Sequence, residues 1–256
     1  MFSKRNYVPL VMLVFILALT ACGGRDKLTN ISSQTVAPQS LPKVPHSSNL
    51  NSSPIVTEEN TVKEDDSIRA IGTHPDGRLI VRPVSNAKVA TLGAPSCYGL
   101  ETDFRWSGEY EVVWESTSNG ISSKVMTFPI EFEIVQQDDA IVKMIEFTLG
   151  EEEIFAYVPR YSDCHALETY FFGVRVGEGT AFPISIEMKP EQILTNISQL
   201  PHRPFQVSNG ELILTGGYGA GQDFINVYHF HYDSKKRSMI LKSTDRVKPT
   251  EIVYDK

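Results

Sequence analysis

His229-Phe230-His231 is the pattern in this sequence best placed to do chemistry. On an extended strand, residues two apart project to the same face, so both imidazoles can meet one divalent cation such as zinc. A metal centre needs a third and usually a fourth ligand, and His202, Asp223 and Asp233 are the candidates the chain offers. The blander reading sets the two histidines on a half-exposed strand face with Ile225 and Val227. Phe224, Tyr228, Phe230 and Tyr232 then form an aromatic face opposite. On that reading the protein needs no cofactor.

Gly216-Gly217-Tyr218-Gly219-Ala220-Gly221 has the composition of a phosphate-cradling loop. Such loops need a strand before and a helix after, so that backbone N–H groups and the helix dipole face the anion. Here a strand pattern follows, and no Gly-Lys-Ser/Thr ending is present. A wide hairpin loop is expected. Gly217, Gly219, Gly221 and Asp223 remain as positions where a ligand could approach the backbone closely. Glu151-Glu152-Glu153 reads as a solvated charge run, with a calcium or basic-partner contact as its alternative. The chain has no Gly-x-Ser-x-Gly, Ser-x-x-Lys or His-Glu-x-x-His motif, which favours a non-enzymatic module over a hydrolase.

The elements that would position these groups are strands. Phe104, Trp106, Tyr110, Val112 and Trp114 share one face, and Arg105, Ser107, Glu109, Glu111 and Glu115 the other, with a bulge or bend at Gly108. That alternation turns the aromatic set toward a core and away from service as an open sugar-stacking platform. Ser118-Asn119-Gly120 predicts a hairpin with a type I′ turn. Phe128, Ile130, Phe132 and Ile134 continue the alternation, followed by Ile141, Ile145, Phe147 and Leu149. Ile154 to Val158 is apolar on both faces and predicts a central strand. Leu167–Val176 and Phe182–Met188 predict a hairpin about Gly177-Glu178-Gly179. Lys189 to Leu200 predicts the single helix, with Pro190 in its first turn and Ile193, Leu194, Ile197 and Leu200 on one stripe. Residues 211–215, 224–232 and 239–242 predict a closing meander, with 252–254 as a last edge strand. The expected class is mainly β, an antiparallel β-sandwich or barrel with one short helix; the alternative is a small β-propeller.

Residues 25 to about 66 are rich in Ser, Asn, Thr and Pro and show no periodicity, which predicts a flexible tether. Roughly 42 such residues reach on the order of 35–40 Å. Residues 67–256 then form a single β-rich domain, long enough for one sizeable core.

At the N-terminus, Lys4 and Arg5 precede the apolar run Val8–Leu19, broken only by Pro9. The run falls short of the roughly 20 residues of a membrane span and fits a secretory signal peptide over residues 1–21. Leu19-Thr20-Ala21-Cys22 resembles the lipobox of bacterial lipoproteins, over residues 1–24 only; the folded domain is not assigned to a family. The resemblance implies diacylglyceryl transfer to the Cys22 thiol, cleavage before it, palmitate among the acyl chains, and a mature chain beginning at Cys22. It places the protein at the extracytoplasmic face of the cell membrane, or at an outer membrane in a host that has one. The His229-x-His231 spacing also resembles that of cupins. However, the downstream Glu of that family has no counterpart in Tyr232-Asp233-Ser234-Lys235-Lys236.

Export has two consequences. Losing residues 1–21 removes Lys4 and Arg5 and no acid, so the net charge moves from −7 to −9. An acidic surface repels phosphate backbones, and nucleic acid is not an expected partner. Acylation of Cys22 would also leave Cys97 and Cys164 to form a disulfide in an oxidising compartment, with two separate buried thiols as the rival. The sequence therefore predicts a lipid-anchored binding or structural module of the envelope, with an unidentified envelope protein or glycan as partner. The alternative is a tethered, metal-dependent enzyme using His229 and His231.

Overall fold

The computed structural model describes residues 62–252, apart from 176 and 178. Cys22, the signal segment and nearly all of the tether lie outside the described residues. Twenty strands follow one another: β1 Lys63–Asp65, β2 Ala70–His74, β3 Gly77–Pro83, β4 Ala87–Thr91, β5 Phe104–Ser107, β6 Tyr110–Ser116 and β7 Ser122–Thr127. Then come β8 Glu133–Gln136, β9 Val142–Lys143, β10 Ile145–Leu149, β11 Glu152–Tyr157, β12 Tyr161–Asp163, β13 Ala166–Arg175 and β14 Ala181–Lys189. The chain closes with β15 Gln192–Leu194, β16 Ile197–Gln199, β17 Gln206–Ser208, β18 Glu211–Thr215, β19 Ile225–Asp233 and β20 Ser238–Val247.

These strands build three sheets. The largest runs β10-β11-β13-β14-β20-β19-β18-β17 and curls until its ends approach each other, giving a nearly closed barrel. Phe147 on β10 meets Phe205, just before β17, at 4.7 Å between ring centroids. A five-stranded sheet, β7-β6-β3-β2-β9, and a four-stranded sheet, β1-β4-β5-β8, complete the fold. The mainly β class, as barrel and sandwich, is as the alternation predicts; the strands do not form propeller blades.

Two cores result. One fills the barrel, with Ile154, Ala156, Phe171, Ile184, Leu212, Leu214 and Phe230. The other includes Leu79, Val81, Trp106, Tyr110, Trp114 and Ile134 from the two smaller sheets, packed with Phe155, Tyr157, Tyr170 and Phe172. β11 and β13 are therefore a wall with a core on each side, which is why Ile154–Tyr157 reads as apolar on both faces. The sheets meet closely where β2 crosses this wall. A Cβ on Gly72 would lie 2.6 Å from Phe155 Cδ1, so only glycine fits there without displacement.

Three expectations are corrected. The predicted helix over Lys189–Leu200 is absent: β15 pairs back on β14, and β16 pairs with β13. Its apolar stripe is not a buried face, because Ile193 is 62% exposed whereas Leu200 is buried. Sheet edges of β13 and β14 bond this backbone, and β-branched Ile193, Thr195 and Ile197 suit the extended form. Among the described residues the one helical turn is the 3-10 turn Pro249–Glu251, and Ile252 beyond it is not in a strand.

The run Phe128–Ile134 is also not one strand. Phe128 and Phe132 stack at 4.0 Å across a turn in which Glu131 has φ 65°, leaving Ile130 87% exposed. At Gly108 the chain passes from the four-stranded to the five-stranded sheet, so Trp106 and Trp114 enter the same core from different sheets. The predicted hairpin of β13 with β14 and the meander β18-β19-β20 are present. The β6–β7 hairpin is present too, with Asn119 Oδ1 accepting the Ile121 N–H at 2.9 Å. Only Gly120 takes a positive φ there, so the turn is not type I′.

Candidate functional site

Cys97 and Cys164 are joined as a disulfide, both exposed. The bridge ties the loop between β4 and β5 to the turn between β12 and β13. That loop is ordered by its own bonds: Leu92 N–H to Asp103 O, Gly93 N–H to Glu101 O, and Leu100 N–H to Asp103 Oδ2 at 2.9 Å each. Beside it is an open cleft of about 450 Å³, lined by Cys97, Tyr98, Leu100, Gln136 and Tyr161 among others. Tyr98 and Leu100 are exposed, held in place by the covalent link and the loop's hydrogen bonds.

Asp163 completes a local cluster with the cysteines. A ligand oxygen of Asp163 and both sulfurs lie within 4.8 Å of one another. Asp163 Oδ1 accepts the Cys164 N–H at 2.6 Å, which fixes the carboxylate beside the sulfurs.

His229 and His231 stand on β19. His229 lies between two acids, its Nε2 3.1 Å from Asp245 Oδ2 and its Nδ1 4.0 Å from Glu211 Oε2. The two carboxylates thus address different ring nitrogens. Glu211 opposes His231 in the β18–β19 register and is bonded to Lys242, which holds its carboxyl below the usual range; the nearby histidines add to this. Among the described residues, no group of three His, Cys, Asp or Glu ligand atoms within 4.8 Å of one another includes either histidine. His202 and Asp233 do not join them, and Asp233 instead accepts the N–H groups of Lys235 and Lys236.

The glycine loop connects β18 to β19, as a strand-loop-strand. Four of its amides are bonded to the rest of the protein or to the loop itself: Gly216 to Asn226 O, Gly217 to Ser198 O, Tyr218 to His165 O and Gly219 to Gln222 Oε1. Gly217 is pressed against Ala166, where a Cβ would collide with Ala166 and sit 3.0 Å from His165 O. Gly219 faces open space, Gly221 takes φ 83°, and Asp223 is exposed.

One cluster of titratable groups is not revealed by sequence spacing. His74, at the end of β2, is buried and sets its Nε2 2.9 Å from Glu153 Oε2 on β11. Its Nδ1 accepts the Asp76 N–H at 3.0 Å, so Nε2 carries the proton that goes to Glu153. Burial, then a hydrogen bond with Glu146 and its charge, push the Glu153 carboxyl up to about 7. Glu152 points the other way, is only 2% exposed, and pairs with Arg175 at 3.1 Å. The acidic run is therefore not a uniformly solvated tip. Strand alternation could have separated Glu152 from Glu153, but the His74 contact spans sheets and leaves no local signal.

Comparisons of the chain with protein-family profiles, curated proteins and solved structures found no match.

Proposed function

We propose that this protein is a lipoprotein anchored through Cys22 at the extracytoplasmic face of a bacterial cell membrane. Its β domain serves there as a binding or structural module of the envelope. The observation that carries this reading is the Cys97–Cys164 pairing. It uses both cysteines of the β domain and leaves Cys22, the third in the chain, for the lipobox Leu19-Thr20-Ala21-Cys22. An exposed structural disulfide fits an oxidising compartment. Two acyl chains on one residue give stable membrane attachment, whereas one chain would give marginal binding.

Labelled palmitate tests the anchor. The wild type is expected to take up label and partition with membranes, and Cys22→Ala to do neither; equal labelling of both would overturn the reading. For the binding role, the ordered Tyr98–Leu100 loop beside its cleft is the natural seat. In a thermal-shift panel of sugars and cell-wall fragments, a ligand of this seat raises the melting temperature of wild type and not of Tyr98→Ala.

A further inference from the structure

We propose that the cleft beside the Tyr98–Leu100 loop takes an uncharged, N-acetylated amino sugar of a glycan, with Gln136 as the residue that reads its acetamido group. This deepens the binding role assigned to that loop above and rests on it.

Three separate segments build the cleft: the β4–β5 loop, the end of β8 at Gln136, and Tyr161 on β12. Its volume of about 450 Å³ lies within the roughly 300–1,000 Å³ of clefts that hold small organic ligands. The loop is shaped in advance. Ser96 and Gly99 bond each other's backbone at 2.9 and 3.3 Å, and the Tyr98 N–H donates to Ser96 Oγ at 3.1 Å. Tyr98 is thus carried on a closed turn that the disulfide pins, which leaves little backbone freedom to lose on binding.

The lining sets the ligand's charge and shape. No Lys, Arg or His is among the described residues that line the cleft, so an anion would meet no counter-charge there. The acid there, Asp103, is buried and accepts the Leu100 N–H at 2.9 Å. Tyr98, Leu100 and Tyr161 supply apolar surface, and the negative face of an aromatic ring suits the C–H bonds on one side of a sugar.

Gln136 supplies the specific contact. Thr91, Phe104 and Gln136 stand in register at the ends of β4, β5 and β8, which sets Gln136 at the rim of the four-stranded sheet. Its Oε1 and Nε2 are withdrawn from solvent and have no hydrogen-bond partner among the described residues. A buried amide left this way is costly, and such a group marks a place where a partner belongs. Turning it into the cleft breaks no hydrogen bond, so the cost is one side-chain rotation. There it presents an acceptor and donors side by side in one plane. An acetamido group presents the complement, an N–H and a C=O. A hydroxyl in its place carries both functions on one atom and cannot span the pair.

The test uses di-N-acetylchitobiose and cellobiose, which differ only in carrying acetamido groups or hydroxyls at the same ring carbons. Each is titrated by calorimetry into full-length protein with its disulfide intact, in a detergent that is not a glycoside. The acetylated sugar is expected to bind at least about tenfold more tightly. Gln136→Leu should bring the two sugars to equal affinity and melt no lower than wild type, because no hydrogen bond is lost. Tyr98→Ala should weaken both sugars. No binding of the acetylated sugar, or equal affinity for the two in wild type, overturns the proposal. A preference that survives Gln136→Leu also overturns it, as does a Gln136→Leu variant that melts well below wild type, which would give the amide a structural partner. Failure of the sugar is separable from failure of the seat. Another ligand whose thermal shift is lost in Tyr98→Ala would leave the seat standing and remove only the sugar, whereas sugar binding unchanged in Tyr98→Ala would remove both.

Discussion

His74 Nε2 lies 2.9 Å from Glu153 Oε2, and the contact joins the five-stranded sheet to the barrel wall. Asp76, beside His74, accepts the Gly177 N–H at 3.3 Å, and Trp114 Nε1 donates to Gly179 O at 2.7 Å. The β2–β3 hairpin and β6 are thus both tied to the β13–β14 turn. Polar bonds across a sheet interface of this kind are directional where the apolar packing beneath them is not.

The raised Glu153 carboxyl gives this contact a pH signature. Folded protein holds the proton up to about pH 7, whereas the unfolded chain releases it near 4.5. The native state therefore binds more protons between those values, and stability falls as pH rises through that window. Wild-type melting temperature, followed by fluorescence, should drop by about 2–4 °C across it, and Glu153→Gln should remove most of the slope. A variant as steep as wild type would refute the raised Glu153 carboxyl.

Gly217 and Gly219 separate packing from ligand approach in the glycine loop. Gly217→Ala drives a methyl group into Ala166 and should cost about 1–3 kcal/mol in urea unfolding, while Gly219→Ala, facing open space, should be near neutral. Equal effects would mean the close contact with Ala166 is not made.

Removing the disulfide should be costly. The bridge spans a sequence separation of 67 residues, for which the chain-entropy estimate is about 4 kcal/mol. Cys97→Ala/Cys164→Ala should lower the urea midpoint accordingly. A loss near zero would show that the unfolded chain gains little freedom when the bridge is gone.

Gly72 and Phe155 should behave as a coupled pair. Phe155→Ala is expected to cost about 3–5 kcal/mol and Gly72→Ala about 1–3 kcal/mol. Phe155→Leu in the Gly72→Ala background should recover part of the second loss, because the shorter side chain makes room for the methyl group. Strictly additive costs in the double variant would count against direct contact.

The strands were legible because period-two alternation is local, and so were the hairpin at residues 177–179 and the closing meander. What misled was a stripe at Ile193, Leu194, Ile197 and Leu200 that satisfies helical spacing but sits where two sheet edges lacked partners. Ile130 fits the alternation of Phe128 and Phe132 yet points outward, since stacking of those two rings requires the chain to turn between them. The disulfide could be anticipated from the cysteine count and from the oxidising compartment that the lipobox resemblance implies. His74, 79 residues from Glu153 in sequence, could not, because nothing local distinguishes a histidine at a hairpin tip from one that reaches another sheet.

β11 and β13 carry side chains into both cores, Ile154 and Phe171 on one side and Phe155 and Phe172 on the other. Neither half can keep its hydrophobic interior once that partition frays. Heating should therefore give a single calorimetric peak, and a nick near Gly150 would endanger the sandwich as much as the barrel. Duplication or exchange of one half alone is correspondingly closed to this architecture, because the piece removed would take its neighbour's floor with it.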